Sequence, residues 1–362
     1  MASRSLISRF TRGIFQSAAT RNRTAALNEA GRRTSSATTS VPVFIYGFAL
    51  PDAVGSINVQ ALIPARHIGA KALYFSDGMD AEAFLDRHRP TALIITKMFD
   101  NGPLALAVTA AKRGIPVIAV FCDLHVAGDS GGFGDPRMAD RNRMLAEQAS
   151  AVVAPTKYVA NFVRKYYEVD CQVIEEPIEY PRCPPVFSPA SPIKLLYTGH
   201  PSNHDTLLPG VRDLARFTDA PLSLTIVSSD APDLPALREA APGITVGFLP
   251  WSMVAQFRAF QSCDAVFVPS KAEPSKQAKG QLRVLSAIQC GRIAIAYPLP
   301  QYLELGEYCY CGTNYAELLG AALGNPDEVK RRIASGQECI DRRFSPEACA
   351  DKWTSLIAAT IN

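Results

Sequence analysis

The chain has 362 residues, 48% hydrophobic and 20% charged, with a formal net charge of +3 at pH 7. That length accommodates two domains of ordinary size, each with its own core, and the charge is too small for a nucleic-acid-binding surface. No run approaches the roughly 18 to 20 uninterrupted apolar residues that a membrane-spanning helix needs.

Residues 1–40 carry Arg4, Arg9, Arg12, Arg21, Arg23, Arg32 and Arg33 against a single acid, Glu29. Leu6, Ile7, Phe10, Ile14 and Phe15 would line one side of an amphipathic helix there. Two readings stand: an organelle-targeting peptide, or a basic arm lying on an anionic membrane surface. Either way the arm is separate from the fold, which starts at 41.

From there strands and helices alternate. The expected order is strand 43–48, a helix from Ser56 to the Gly69 stop, strand 72–75, helix 80–88 and strand 92–95. Helix 103–113 follows, with Pro103 at its start and Gly114 at its end. Strand 117–121, polar helix 137–149, strand 151–154 and a helix capped by Thr156 complete the first half. Such alternation predicts a parallel sheet with right-handed crossovers. A proline-rich stretch, 176–192, then suits a stiff connection between domains 41–180 and 193–345, with 181–192 as the linker.

The pattern restarts with strand 193–198, the turn Gly199-His200-Pro201-Ser202-Asn203, helix 205–217 and strand 222–227. Helix 233–241, strand 244–248, helix 252–261 and strand 264–269 come next. A Lys-rich loop, 270–280, leads into a helix over 279–289, and Gly291 falls where a left-handed C-terminal cap is expected. Strand 292–297 follows, and helix 346–359 closes the chain. A cationic loop therefore brings a helix N-terminus to the carboxyl edge of a parallel sheet, where open α/β sheets bind phosphorylated ligands.

Pro269-Ser270, Glu273, Ala287 to Gly291 and Ile293 to Ala296 stand in an order that resembles the nucleotide-sugar half of the GT-B glycosyltransferases, particularly the family 4-like group. The resemblance extends over 43–345. It implies an α/β GT-B fold, two Rossmann-like domains with parallel sheets facing a central cleft, and a segment 346–362 that crosses back to the first domain. It implies a glycosyltransferase that moves a sugar from a UDP- or GDP-linked donor on 193–345 to a glycan, lipid or protein hydroxyl on 41–180. No cofactor beyond the nucleotide sugar is expected, and no metal: the sequence has no DxD or Walker A motif and no ligand cluster.

On this resemblance the donor residues are Gly199, His200, Ser202, Asn203, Glu273, Lys276, Lys279, Gln281 and Arg283. Backbone N–H groups of 199–203 would face the diphosphate, unless the turn is an ordinary βα connection. Lys279 and Arg283, four apart, would share a helical face and with Lys276 neutralise the departing diphosphate, unless the loop is merely solvated. Glu273 would accept from a ribose or sugar hydroxyl, or else is a surface loop acid. Gln281 and Ser286 stand at the places where the family carries a second Glu. Asp123 and His125, after strand 117–121, are the catalytic candidates, as general base or sugar contact; a structural histidine is the competing reading. The run Gly128 to Gly134 reads as a mobile acceptor-side loop. Gly55, Ser56, Asn58 and Arg66 are expected on the acceptor side.

A nucleotide-sugar epimerase and a non-catalytic glycosyltransferase-like binding protein are the alternatives, the latter favoured by the missing second Glu. An NAD-dependent enzyme lacks its glycine fingerprint. Nine cysteines, with Cys309-x-Cys311 as the closest pair, show no zinc-site spacing and read as free thiols in a reducing, cytoplasmic setting or at a membrane face.

Overall fold

A computed structural model describes residues 40–47, 55–96, 98, 100–122 and 137–361. The basic arm, Asp123, His125 and the 128–134 glycine run lie outside the described residues.

The first half forms one six-stranded parallel sheet: β1 Val43–Tyr46, β2 Lys71–Tyr74, β3 Leu93–Thr96, β4 Val117–Val120, β5 Ala151–Ala154 and β6 Gln172–Val173, in the order β2-β1-β3-β4-β5-β6. Strands β1, β3 and β4 are buried at every position, as expected for parallel strands covered on both faces. Two of the helices between them, Ala81–His88 and Lys157–Tyr167, start on side-chain caps. Asp80 accepts from the Ala83 N–H and Thr156 from the Val159 N–H, each contributing about 1 kcal/mol. Strand β6 was not among the expected elements.

The second sheet holds β7 Ile193–Thr198, β8 Leu222–Ser228, β9 Ile244–Pro250, β10 Ala265–Val268, β11 Ile293–Ala296 and β12 Tyr310–Cys311, in the order β12-β11-β10-β7-β8-β9, again all parallel. Strand order reverses between β1 and β3 in the first sheet and between β7 and β10 in the second. Loops leaving the carboxyl ends of such strand pairs diverge and leave a crevice. Helices Tyr315–Gly324 and Pro326–Arg343, absent from the sequence expectation, cover the second sheet through Tyr315, Leu319, Val329 and Ile333.

The proline-rich segment is extended but is not a free tether. The Cys183 N–H donates to Gln289 O, the Val186 N–H to Gly291 O, and Phe187 is fully buried in the second core. Gly291 has φ +74°, and a Cβ there would stand 2.2 Å from Pro184 O. Both the left-handed cap and the close approach of the segment require glycine. Helix Pro346–Ile361 lies on the first sheet: Trp353 meets Phe44 edge-on at 5.3 Å, and Leu356 and Ile357 join Ile57 and Ala61 in that core. Glu175, nearly buried, pairs with Arg343 at 3.3 Å and with Lys352.

Candidate functional site

At the second reversal, β7 runs into a 3-10 turn, Pro201–Thr206, and helix Leu207–Leu214 begins after it. Strand β10 leads through Pro269 and Ser270 to a short helix, Pro274–Gln277, and then to helix Leu282–Gln289. The helix expected over 279–289 thus starts later. Lys279 lies outside it, so Lys279 and Arg283 do not share a helical face. The chain breaks at Gly280 because Glu176 crowds it: a Cβ there would stand 2.2 Å from Glu176 Oε2.

Lys276 is buried, and its Nζ donates to Ser202 O at 2.7 Å, Asn203 Oδ1 at 3.0 Å and Asp205 Oδ1 at 3.0 Å. An ammonium has three protons, so all are engaged in joining the two loops. Asp205 Oδ2 also takes Lys271 at 2.8 Å, and Lys271 reaches Glu273 Oε1 at 2.6 Å. Burial pushes the Asp205 carboxyl up, but the two lysines more than reverse this and hold it below the usual range. Glu273 is therefore ion-paired within its own loop.

The turn after β7 is also largely self-satisfied. The Gly199 N–H donates to Val227 O at 3.2 Å, the Ser202 N–H to His200 Nδ1 at 3.2 Å and the Asn203 N–H to His200 O at 2.9 Å. Pro201 has no N–H. Of the N–H groups expected to face a diphosphate over 199–203, those of Gly199, Ser202 and Asn203 are thus engaged within the protein. Gln281 is likewise engaged, its Nε2 donating to Gln301 O at 2.9 Å.

Beneath the turn lies a different set of groups. Arg283, in the first turn of helix Leu282–Gln289, has a buried Nη1 without a hydrogen-bond partner, and so do Tyr197 Oη, Ser270 Oγ and Tyr302 Oη. Burial pushes the Tyr197 hydroxyl up to about 12, with the nearby Arg283 guanidinium pulling the other way, and Tyr302 stands beside both. A Cβ at Gly199 would stand 2.6 Å from Tyr197 Oη, which places this hydroxyl directly under the turn. Tyr302 sits on the short helix Pro300–Leu303, fixed to the donor-side loop by Gln301 Nε2 donating to Lys279 O. An unpaired buried polar atom costs about 1–3 kcal/mol, and such atoms call for a partner. A guanidinium nitrogen together with three hydroxyls in this state matches a ligand that is anionic and rich in hydroxyls.

At the first reversal the helix after β1 runs Gly55–Ile57, through a π-helical stretch Asn58–Leu62, into Ile63–His67. Gly55, Ser56 and Asn58 occupy its cleft end. Arg66 does not: it lies at the far end, roughly 15 Å away by helical rise, exposed and paired with Glu179. That corrects its placement on the acceptor side. The π-helical stretch aims Gln60 at the cleft, where Thr96 Oγ1 donates to Gln60 Oε1 at 3.0 Å and Gln60 Nε2 donates to Glu176 Oε1 at 2.7 Å. Glu176 in turn abuts Gly280, so it bridges the two carboxyl edges. The donor-side loop also grips the first domain directly. Tyr158 Oη donates to Gln277 Oε1 at 2.6 Å, and Ala278 is 1% exposed within the first domain's core beside Val159 and Phe121. None of Gln60, Thr96, Glu176 or Tyr158 stood out in the sequence, because none belongs to a motif. Among the described residues, no three His, Cys, Asp or Glu side chains come together as a metal site.

No family model matches the sequence, and no curated protein matches it. Solved structures do. HepE of Anabaena in complex with UDP superposes with a TM-score of 0.61 at 14% identity, over 89% of this chain and 100% of that one. A glycosyltransferase from Rickettsia africae gives 0.57 at 12% identity, over 90% and 100%. TarM of S. aureus, in complex with fondaparinux, alpha-GlcNAc-glycerol and UDP, gives 0.60 at 13% identity over 76% of this chain. This chain spans 58% of TarM, little more than half its length. Identities this low speak for architecture, and together with the two six-stranded parallel sheets they establish that the protein has the two-domain, Rossmann-like GT-B fold.

Proposed function

We propose that the protein is a glycosyltransferase that takes a sugar from a nucleoside diphosphate sugar, with UDP the first candidate, and passes it to an acceptor hydroxyl in the cleft. The observation that carries this reading is the group of unpaired buried atoms at the second reversal: Arg283 Nη1, Tyr197 Oη, Ser270 Oγ and Tyr302 Oη. They stand beside the N-terminus of helix Leu282–Gln289, which has no side-chain cap. A diphosphate there would receive a charge-assisted bond from Arg283 and the helix's first N–H groups. As the bond from the sugar to the diphosphate breaks, negative charge grows on the leaving group, and these fixed donors stabilise it electrostatically without a metal ion. The tyrosine and serine hydroxyls would meet ribose or sugar hydroxyls. Asp123 and His125, which follow β4 in the sequence, are the proposed groups to take the acceptor proton or hold the sugar.

Calorimetry of the full chain against UDP, GDP and ADP, with and without EDTA, tests this. Selective binding of one nucleotide, unchanged by EDTA, is expected; binding of none would remove the donor site. A second reading, nucleotide-sugar binding without turnover, is favoured by the Lys271–Glu273 pair, which occupies the carboxylate expected to hold the sugar. UDP release from UDP-sugars over hours separates the two. Residues 1–40 are proposed to bring the protein to an anionic membrane surface or into an organelle, and cosedimentation with anionic vesicles tests the former.

A further inference from the structure

Cys309 and Cys311 flank Tyr310 at the edge strand β12. Residues i and i+2 of an extended chain point to the same side and stand roughly 6.6 Å apart, within the Cα separation that a disulfide spans. Their Sγ atoms are 3.4 Å apart. Cys309 is buried and Cys311 is partly exposed. Arg332 brings a fixed positive charge to the pair: its Nη1 donates to Cys309 O at 3.1 Å and Gly306 O at 3.0 Å, and its guanidinium lies over the Tyr310 ring at 4.8 Å. The hydrogen bond from Cys309 holds the Cys311 thiol below the ordinary thiol range, with Arg332 helping and burial opposing, while Cys309 is raised. Arg332 is also paired with Glu328 at 2.9 Å; a partly exposed thiol held below the ordinary range, with a second thiol in reach, is the kind that exchanges with disulfides.

We propose that Cys309 and Cys311 form a thiol–disulfide site that reacts with a low-molecular-weight disulfide. The Cys311 thiolate attacks one sulfur of that disulfide, forming a mixed disulfide and releasing one thiolate. Cys309 gives up its proton and attacks the Cys311 sulfur, and the second thiolate leaves. The pair loses two electrons and two protons, and the reagent becomes two thiols.

Oxidation would reach the nucleotide pocket through one short segment. Cys311 Sγ lies 3.5 Å from Tyr302 O and Cys309 Sγ 3.3 Å from Leu305 O. Those contacts hold the Pro300–Leu303 helix, whose Tyr302 stands beside Arg283 and whose Gln301 fixes the donor-side loop. The coupling, unlike the thiol chemistry, rests on the nucleotide site proposed above.

The test treats the reduced full chain with oxidised glutathione, traps remaining thiols with N-ethylmaleimide and maps peptides by mass. The wild type is expected to show a 309–311 peptide lighter by two hydrogens and unalkylated, and Cys309→Ser to stop at a glutathione adduct on Cys311. Alkylation of both cysteines after the oxidant, or a wild-type adduct that never closes, would overturn the proposal. UDP affinity is read on the same samples, and a loss of at least about threefold on oxidation is expected, absent in the Cys309→Ser, Cys311→Ser double variant. Equal affinity of the reduced and oxidised wild type would overturn the coupling. Reduced protein that binds no nucleotide would instead overturn the function proposed above, with the mass result still deciding the thiol site.

Discussion

The two sheets reverse strand order at corresponding places, yet the polar groups gathered there are in opposite states. At the first, Thr96, Gln60 and Glu176 pair in sequence at 3.0 and 2.7 Å. At the second, Arg283 Nη1 and three buried hydroxyls have no partner. One edge is complete by itself and the other is complete only with something added. Lys276, one of the cations expected to neutralise a diphosphate, belongs to the completed part, while Tyr197 and Tyr302, which the sequence did not single out, carry the unspent chemistry.

If the two edges are energetically separate, each has its own failure mode. The largest effect should come from Trp353→Ala, which strips the closing helix from the first sheet. A cost of about 3–5 kcal/mol is expected for a buried Trp, seen as a lower denaturant midpoint, with the UDP affinity of the folded fraction unchanged. A matching loss of affinity would break the separation. Next, Arg283→Ala should weaken UDP binding by about 1.5–3 kcal/mol, the worth of a charge-assisted hydrogen bond, or roughly 10- to 150-fold in Kd. Unchanged affinity by calorimetry would make the unpaired atoms a structural oddity. Gln60→Leu should do the reverse: about 1–2 kcal/mol of stability lost as Thr96 and Glu176 lose a buried partner, and Kd within twofold.

The smallest effect is in pH dependence. Burial, with Arg87 and Lys71 nearby, lowers the half-buried His88 from 6.5 to about 4. A histidine kept neutral by folding binds fewer protons than in the unfolded chain between those values. Its contribution is therefore fully present above 6.5 and is lost as pH falls towards 4. Asp205, depressed by its lysines, contributes above the ordinary carboxylate value of 3.8 and loses that contribution only as pH falls through its lower folded value. Melting temperatures followed from pH 7 to 3 should show the first domain weakening before the second, and His88→Asn should remove the earlier phase. A single phase unaffected by that change would sink the assignment.

Much of the frame was legible because the strands are short apolar runs bounded by Gly, Pro and capping residues. Val43–Tyr46 and Ile293–Ala296 declare themselves, and Gly291 announces the end of its helix. Strand β6 has two residues and no pattern to find. Half of helix Pro326–Arg343 is charged, so its apolar stripe of Val329, Ile333 and Ile340 is thin. The site was less legible. Arg283 was noticed as a cation, but its burial depends on Tyr197 and Tyr302, which arrive from distant parts of the sequence. Lys276 was noticed for its charge, whereas Asp205, which absorbs part of that charge, carries no motif. Spacing along a chain predicts which face a residue takes; it does not report who already holds its hydrogen bonds.

The docking of Ala278 and Gln277 onto the helix that begins at Lys157 has a practical meaning. The two halves are not modules that can be cut at the proline-rich segment and studied apart. A first half ending there would have a gap in its core, and the second half would hold out a loop with nothing to grip. Complementation, in which separately expressed halves recover a stable whole only when mixed, is the behaviour this interlocking calls for.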